Sequence, residues 1–456
     1  MKTSKNPIAR LGAWLGLTLS SVIATKAADV PASVVAEHFG SVEGRVLNLS
    51  NGQYLNNARI TVDGSSLETF TDSSGRFRLD GVPAGQRSIR VFYSGFPAHI
   101  VTVVVAAGAT ATQDFNFGAS DESGGKVTVL DAFLVASTRE TNARNIATNE
   151  QRFASNIKNV VAADAFGDAT EGNVGEIMKY LPGVTIDYIA SEATSISVRG
   201  FGGEFTSITA DGARMPSGMR TPDRTFELQH ASINNISRVE VTKVPTPSMS
   251  ADTLGGSVNL VSRSAFESSR TEFKYRTYLS MNSDETHVFK KTPGPADRAS
   301  YKVLPGLDFN YIAPLTENFG IVINGLVSSK FNAQNAQRSI WVFTGAVATP
   351  AAPYLRQYSM LPGPKNIFRN SLSLQADWRP ARGHVISVGA QWNYYHTFFQ
   401  ALNHLINVGA AAPQSFGPDF TYGAPGGSVI QEGISYDAYS GMVGANISHR
   451  FTGRTW

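Results

Sequence analysis

The chain has 456 residues, 42% hydrophobic and only 16% charged, with 42 Gly, 26 Phe, 15 Tyr and no Cys. Soluble proteins usually carry about 25% charged residues, so this balance points to a mainly β protein built to meet a membrane. The lack of cysteine excludes disulfides, thiolate metal sites, cysteine nucleophiles and a lipid-carrying N-terminal cysteine. Lys2, Lys5, Arg10 and Lys26 account for the formal charge of +3: taking these four from the 39 basic residues leaves 35 against 36 acidic ones. That near-neutrality lacks the basic patch that nucleic acid needs, so no nucleic-acid partner is expected.

Residues 1–27 read as a secretory signal peptide. A basic start leads into the uncharged run Leu11 to Ile23, and Ala27 and Ala28 follow. That run is too short for a transmembrane helix, which needs about 20 residues.

From 40 to 117 short alternating runs are separated by turn residues, with no helical period. They are 41–46, 58–62, 68–71, 76–79, 88–93 and 99–105, with turns at Asp63-Gly64 and Asp72-Ser73-Ser74-Gly75. This spacing predicts a β-sandwich. The stretch TDSSGRFRLDGVPAGQRSIRVFYSGF, residues 71–96, resembles the carboxypeptidase regulatory-like domain. The resemblance implies a transthyretin-like sandwich without peptidase activity. Two roles stand open for it, a sugar-binding module and a rigid periplasmic spacer.

Residues 118–155 form a polar linker interrupted by one strand-like run, Val127 to Val135. Such a run has no core of its own to join and reads either as a stray edge strand or as a segment that pairs with a partner's sheet edge. Leu130, Asp131, Ala132, Phe133, Leu134, Val135, Ala136 and Ser137 resemble the TonB box of TonB-dependent receptors. The resemblance implies a TonB-type energy transducer of the inner membrane as partner.

Residues 156–263 mix one short helix with strands. Val174, Ile177, Met178 and Leu181 recur at helical spacing over 171–181, and Pro182-Gly183 ends the helix. Strands are predicted at 184–186, 195–199, 207–210, 237–241 and 257–261, with a turn at Asp211-Gly212. Four ordered blocks, NVGEIMKYLPGVTI, ISVRGFG, TADGARM and ISRVEVTKVPTPSMSADTLGGSVNLVSR, resemble the plug of TonB-dependent receptors. In detail they are similar to a xanthomonad and caulobacter subgroup often associated with carbohydrate uptake. Gly200, Gly255 and Gly256 suit close packing and unusual turns. Arg199 and Glu240 are candidates for a buried ion pair or for bonds to barrel-wall carboxylates, against the plainer reading as strand surface charges. The resemblance implies that three loops face outward, at 187–194, 202–206 and 215–225. Their candidate ligand-facing residues are Tyr188, Glu192, Glu204, Phe205, Arg220, Asp223 and Arg224, which suit a sugar or a metal chelate alike.

From 270 to 456 the alternation becomes clean: Leu372, Leu374, Ala376 and Trp378 alternate with polar neighbours, as do Val388, Ala390 and Trp392, and Val443, Ala445 and Ile447. One apolar face suits outer-membrane lipid and the other a wet lumen. Tight turns at 314–318 and 380–383 contrast with expected long loops at 281–298, 332–366 and 399–433. About six strands of an antiparallel transmembrane β-barrel follow. Six leave open edges in lipid, so the chain is expected to be the N-terminal part of a longer protein; the rival is a short chain that oligomerises to close a barrel.

The expected protein is therefore an outer-membrane receptor with its N-terminal domain in the periplasm. It takes up a scarce extracellular nutrient, an oligosaccharide first, with a ferric siderophore or cobalamin as alternatives. A surface adhesin or carbohydrate-binding scaffold that transports nothing is the rival function. No catalytic set, metal cluster or cofactor site stands out, and no enzyme activity is expected.

Overall fold

The computed structural model describes residues 39–118, 144–154, 156–166, 172–189, 192–215, 225–247, 249–251, 253–281, 303–409, 411–423 and 425–451. Residues 1–27, expected to be a signal peptide, and the 130–137 segment lie outside these residues.

Nine strands build the first domain. They are β1 (Phe39–Asn48), β2 (Gln53–Tyr54), β3 (Arg59–Val62), β4 (Glu68–Phe70), β5 (Arg76–Pro83), β6 (Gly85–Phe92), β7 (His99–Val105), β8 (Thr110–Thr112) and β9 (Phe115–Phe117). One sheet runs β2-β1-β5, with β8 and β9 pairing β1 in parallel; the other runs β4-β3-β6-β7. Alternate side chains from both sheets, among them Val42, Val46, Ile60, Phe77, Leu79, Ile89, Val91 and Phe115, make one apolar core. Full burial of each such side chain stabilises by about 1.5–3 kcal/mol. The 72–75 turn forms because Asp72 Oδ1 accepts from Ser74 N (2.8 Å), Ser74 Oγ (2.5 Å) and Arg76 N (3.0 Å). Gly75 closes it at φ +68°, where a Cβ would stand 2.5 Å from the Val46 carbonyl. Strands β8 and β9 went unforeseen because three residues are too few to show a period.

Residues 144–152 form a helix, α1, docked on this sandwich. Asn149 accepts from Ser94 N (3.2 Å) and donates to the Asn57 carbonyl (2.5 Å), and Phe153 packs on Phe70 and Phe92.

The second domain holds β10 (Lys158–Ala162), the single-turn helix α2 (Gly175–Met178), β11 (Val184–Ile189), β12 (Glu192–Val198), β13 (Thr206–Ala210), β14 (Ala213–Arg214), β15 (Ile236–Thr242) and β16 (Gly256–Ser262). A five-stranded sheet in the order β10-β15-β16-β13-β14 packs beside the β11–β12 hairpin. The apolar positions read at helical spacing, Val174, Ile177, Met178 and Leu181, are all buried. The α-helix itself is one turn, shorter than the period suggests, and Gly183 at φ +71° redirects the chain into β11. Asp211 and Gly212, with φ of 50° and 83°, make the β13–β14 turn, the positive-φ geometry that two-residue hairpins prefer.

The third region is a six-stranded antiparallel sheet in sequence order: β17 (Glu272–Met281), β18 (Val303–Pro314), β19 (Phe319–Val342), β20 (Tyr354–Trp378), β21 (His384–Asn407) and β24 (Ser428–Phe451). A small hairpin of β22 (Ser415–Gly417) and β23 (Phe420–Tyr422) precedes the last strand. Two of the expected long loops are corrected here. Residues 332–342 and 354–366 pair continuously as strand, and so do 399–407 with 428–436. A 24-residue strand at about 3.3 Å per residue reaches roughly 80 Å, far beyond the roughly 25 Å apolar band of an outer-membrane barrel. The polar sequence there looks like loop because those hairpins rise out of the membrane, where outward-facing apolar residues are not required.

Nearer the tight turns the two faces separate as read. Leu372, Trp378, Val388, Trp392, Val443 and Ile447 face outward and exposed. They are matched across the sheet: Leu372 lies opposite Trp392 and Val388 opposite Ile447. Asn324, Ser328, Arg369, Ser373 and Asp377 are buried on the inner face.

Candidate functional site

The inner face of the wall is polar because it receives the second domain. Asp377, at the end of β20, accepts from Ser264 Oγ (2.7 Å) and Ala265 N (2.9 Å), and from Ser387 Oγ on β21 (2.7 Å). Ser232 and Ser371 hydroxyls meet at 2.8 Å. Asn234 donates to the Gly325 carbonyl of β19, and His230 Nε2 meets Ser440 Oγ of β24 at 2.7 Å. Met442 of β24 packs against the second domain's apolar core. Burial lowers the His230 pKa below the ordinary imidazole value, which favours the neutral ring at this contact.

Glu192, expected on an outward loop, opens β12 and is 2% exposed. Its carboxylate pairs with Arg369 of β20 and lies 3.9 Å from Lys330 of β19. Arg369 also stands over the Tyr395 ring at 5.3 Å. A sequence cannot reveal that pairing, since the partner cation lies 177 residues downstream. With His230, Ser232 and Asn234 it makes the contact that sequence reasoning missed. Its trace in the chain is the polar run after Phe226, in which His230, Ser232 and Asn234 fall between buried Leu228, Ala231 and Ile236.

The proposed Arg199–Glu240 pair does not form. Arg199 takes φ +55°, rare for a non-glycine residue, and its guanidinium donates to the carbonyls of Gly255 (3.2 Å) and Leu254 (3.4 Å). Glu240 instead pairs with Lys158 (2.9 Å) and Arg238 (2.8 Å). Burial alone would raise the Glu240 pKa, but Arg238 and Lys158 outweigh it and hold the carboxyl below its ordinary range. Close by, burial raises Glu150 and carries Glu267 to about 7, against the pull of Arg238 on both. Gly255 and Gly256 sit where the chain crosses β12 and β15: a Cβ on Gly256 would lie 2.9 Å from Val198 and 3.0 Å from the Thr242 carbonyl. Gly200, at φ +81°, follows Arg199 in the same turn.

Of the candidate ligand-facing residues, Tyr188 on the β11–β12 hairpin is 45% exposed. Its hydroxyl reaches Glu176 Oε2 at 3.4 Å, beside the Glu176–Lys179 ion pair. Phe205 is 40% exposed and meets Phe201 edge-on at 6.3 Å, with exposed Glu204 between them in the chain. Gly203 lies against Thr225, which brings the 202–206 loop beside the return of the third loop. Arg220, Asp223 and Arg224 lie outside the described residues.

Residues 41–118 match the carboxypeptidase regulatory-like domain family, and residues 150–257 match the TonB-dependent receptor plug domain family. Residues 150–257 are thus a domain of the TonB-dependent receptor plug family, seated on an antiparallel wall whose outer face is apolar and exposed. More particularly, a domain of the carboxypeptidase regulatory-like family precedes the plug.

No curated protein matches the chain. Among solved structures it is similar to the ferric enterobactin receptor of Pseudomonas aeruginosa in complex with enterobactin, at 13% identity over 64% of this chain and 47% of that one, TM-score 0.37. It is also similar to the siderophore receptor PirA from Acinetobacter baumannii, at 13% identity over 57% and 45%, TM-score 0.32. The chain thus spans about half the length of the solved receptors it matches.

Proposed function

We propose that this protein takes up a scarce extracellular nutrient, an oligosaccharide, in an energised step driven through residues 130–137. The observation that carries the reading is the seating of the plug. Glu192–Arg369, Ser232–Ser371, Asn234–Gly325 and the bonds to Asp377 join plug to wall across otherwise polar, buried surfaces. A path through such a wall opens only when those contacts are exchanged for water, which calls for work from outside the receptor. Breaking a buried ion pair costs about 3–5 kcal/mol, so ligand binding alone has to be supplemented.

The nutrient lands on the plug loops around Tyr188, Phe201 and Phe205 and on the tall hairpins of the wall. Exposed ring faces beside Glu204 suit sugar stacking and hydrogen bonding. A ferric siderophore would use the same rings with cationic partners, and cobalamin stands third. Binding favours a plug state that presents the 130–137 strand to the edge of the inner-membrane transducer.

The test is uptake of labelled oligosaccharides and ferric siderophores by cells expressing the full-length gene product, with and without Leu134→Pro. Proline removes a backbone donor from the pairing strand. Uptake is expected to fall to background while surface binding persists. Uptake indifferent to the change would overturn the coupling assignment and leave a passive pore or an adhesin, and the ligand that enters identifies the nutrient class.

A further inference from the structure

Between the 72–75 turn of the sandwich and the tight turns of the wall lies a cavity of about 280 Å³. Arg76, Arg379, Arg382 and Arg450 line it, with Asp72 and His384. None of the plug-loop residues named above lines it.

The charges in this cavity do not balance. Arg382 is paired with Glu43, and Arg450 reaches Ser73 Oγ at 3.4 Å. Asp72 is the cavity's one carboxylate, and its Oδ1 is already engaged by the donors of its own turn. Arg379 is 92% buried, lies over the Phe266 ring at 3.6 Å and donates from Nη1 to the Glu317 carbonyl at 3.2 Å. Its Nη2 is buried with no hydrogen-bond partner, and so is Arg76 Nε. Burial and the neighbouring Arg45 guanidinium lower the Arg76 pKa, with Asp72 and Glu317 opposing.

Buried polar groups normally find partners, so each orphan needs an explanation. Water at about 30 Å³ apiece fills such a volume but adds no negative charge to a lining of four arginines and one carboxylate. An oxyanion supplies both the charge and several acceptors, and the planar guanidinium fork fits phosphate in a bidentate manner.

We propose that this cavity binds a phosphate group, with Arg76 from the sandwich and Arg379 from the wall as its principal donors. The tight turns of an outer-membrane wall face the periplasm. There the phosphate comes either from a phospholipid headgroup of the inner leaflet or from free solution. Held between two domains, it ties the sandwich to the wall.

The test is calorimetric titration of the purified full chain in phospholipid-free detergent with inorganic phosphate and with glycerol 3-phosphate, at ionic strength matched with chloride. Saturable binding is expected, weakened about tenfold or more by Arg76→Gln and by Arg379→Gln. Arg76→Gln lies on the sandwich and leaves the wall intact should Arg379→Gln disturb it. Phosphate binding that persists after transfer into phospholipid nanodiscs assigns the site to the free anion, and binding that disappears there assigns it to the headgroup. No saturable binding of either anion in detergent, or equal binding by both variants, overturns the proposal.

Discussion

The sandwich and the plug are both small β-rich domains, yet their interiors are organised differently. In the sandwich, two sheets supply every fully buried core residue from within residues 42–117, and the one outside addition is Ile146 of the adjoining helix α1. The plug buries apolar residues too, but Met442 of the wall packs on its core, and its rim is held by hydroxyls, amides and ions that reach across to β19, β20 and β24. One domain carries its own stability; the other borrows part of its environment from the wall. Polar contacts can be exchanged for water at lower cost than an apolar core can be opened, so the plug is expected to leave its seat and stay folded.

Changes that strike the two domains separately sharpen this contrast. The largest effect is expected from Glu192→Ala, which takes the carboxylate from buried Arg369. It should loosen the seat by about 3–5 kcal/mol, read as faster hydrogen exchange across 184–198 with exchange in the sandwich unchanged. Faster exchange in both domains alike would mean that they are one cooperative unit. Ile89→Ala, in the sandwich core, should cost about 2–5 kcal/mol and open the sandwich to protease while the plug stays seated. A plug lost together with the sandwich would break the comparison.

A smaller effect is expected from pH. Glu267 has a folded pKa of about 7 against an ordinary 4.5, because burial favours its protonated form over the opposing pull of Arg238 and Arg263. A carboxyl raised on folding contributes stability that is fully present below 4.5 and is lost as pH rises through 7. The melting temperature should therefore fall between pH 5 and pH 8, and Glu267→Gln should flatten that slope. Glu150, raised in the same sense, keeps a residual slope in the variant. An unchanged slope in Glu267→Gln would show that Glu267 is not the group titrating.

What the chain reveals about itself follows from range. Period-2 alternation at 76–79, 88–93 and 386–394 is local and predicts strands that the fold contains. The one-turn helix at 175–178 keeps its buried pattern but loses length to Pro182-Gly183, a local stop whose reach into the preceding turn was underestimated. Residues 332–366 carry no apolar-against-polar alternation, because a hairpin standing clear of the membrane has no need of that contrast, so most of this strand pair leaves no period in the sequence. The seat was the least legible part. Glu192 meets Arg369, and Ser232 meets Ser371, across more than 130 residues of chain. Nothing around either partner announces the other.

The central claim, that the plug must leave its seat for uptake, has a direct test in a chain with no native cysteine. Ser232→Cys with Ser371→Cys places two thiols where hydroxyls now stand 2.8 Å apart. With the disulfide formed in the full-length gene product, uptake should stop while ligand still binds at the surface, and a reductant should restore it. Uptake that continues with the bond demonstrably intact would contradict the account.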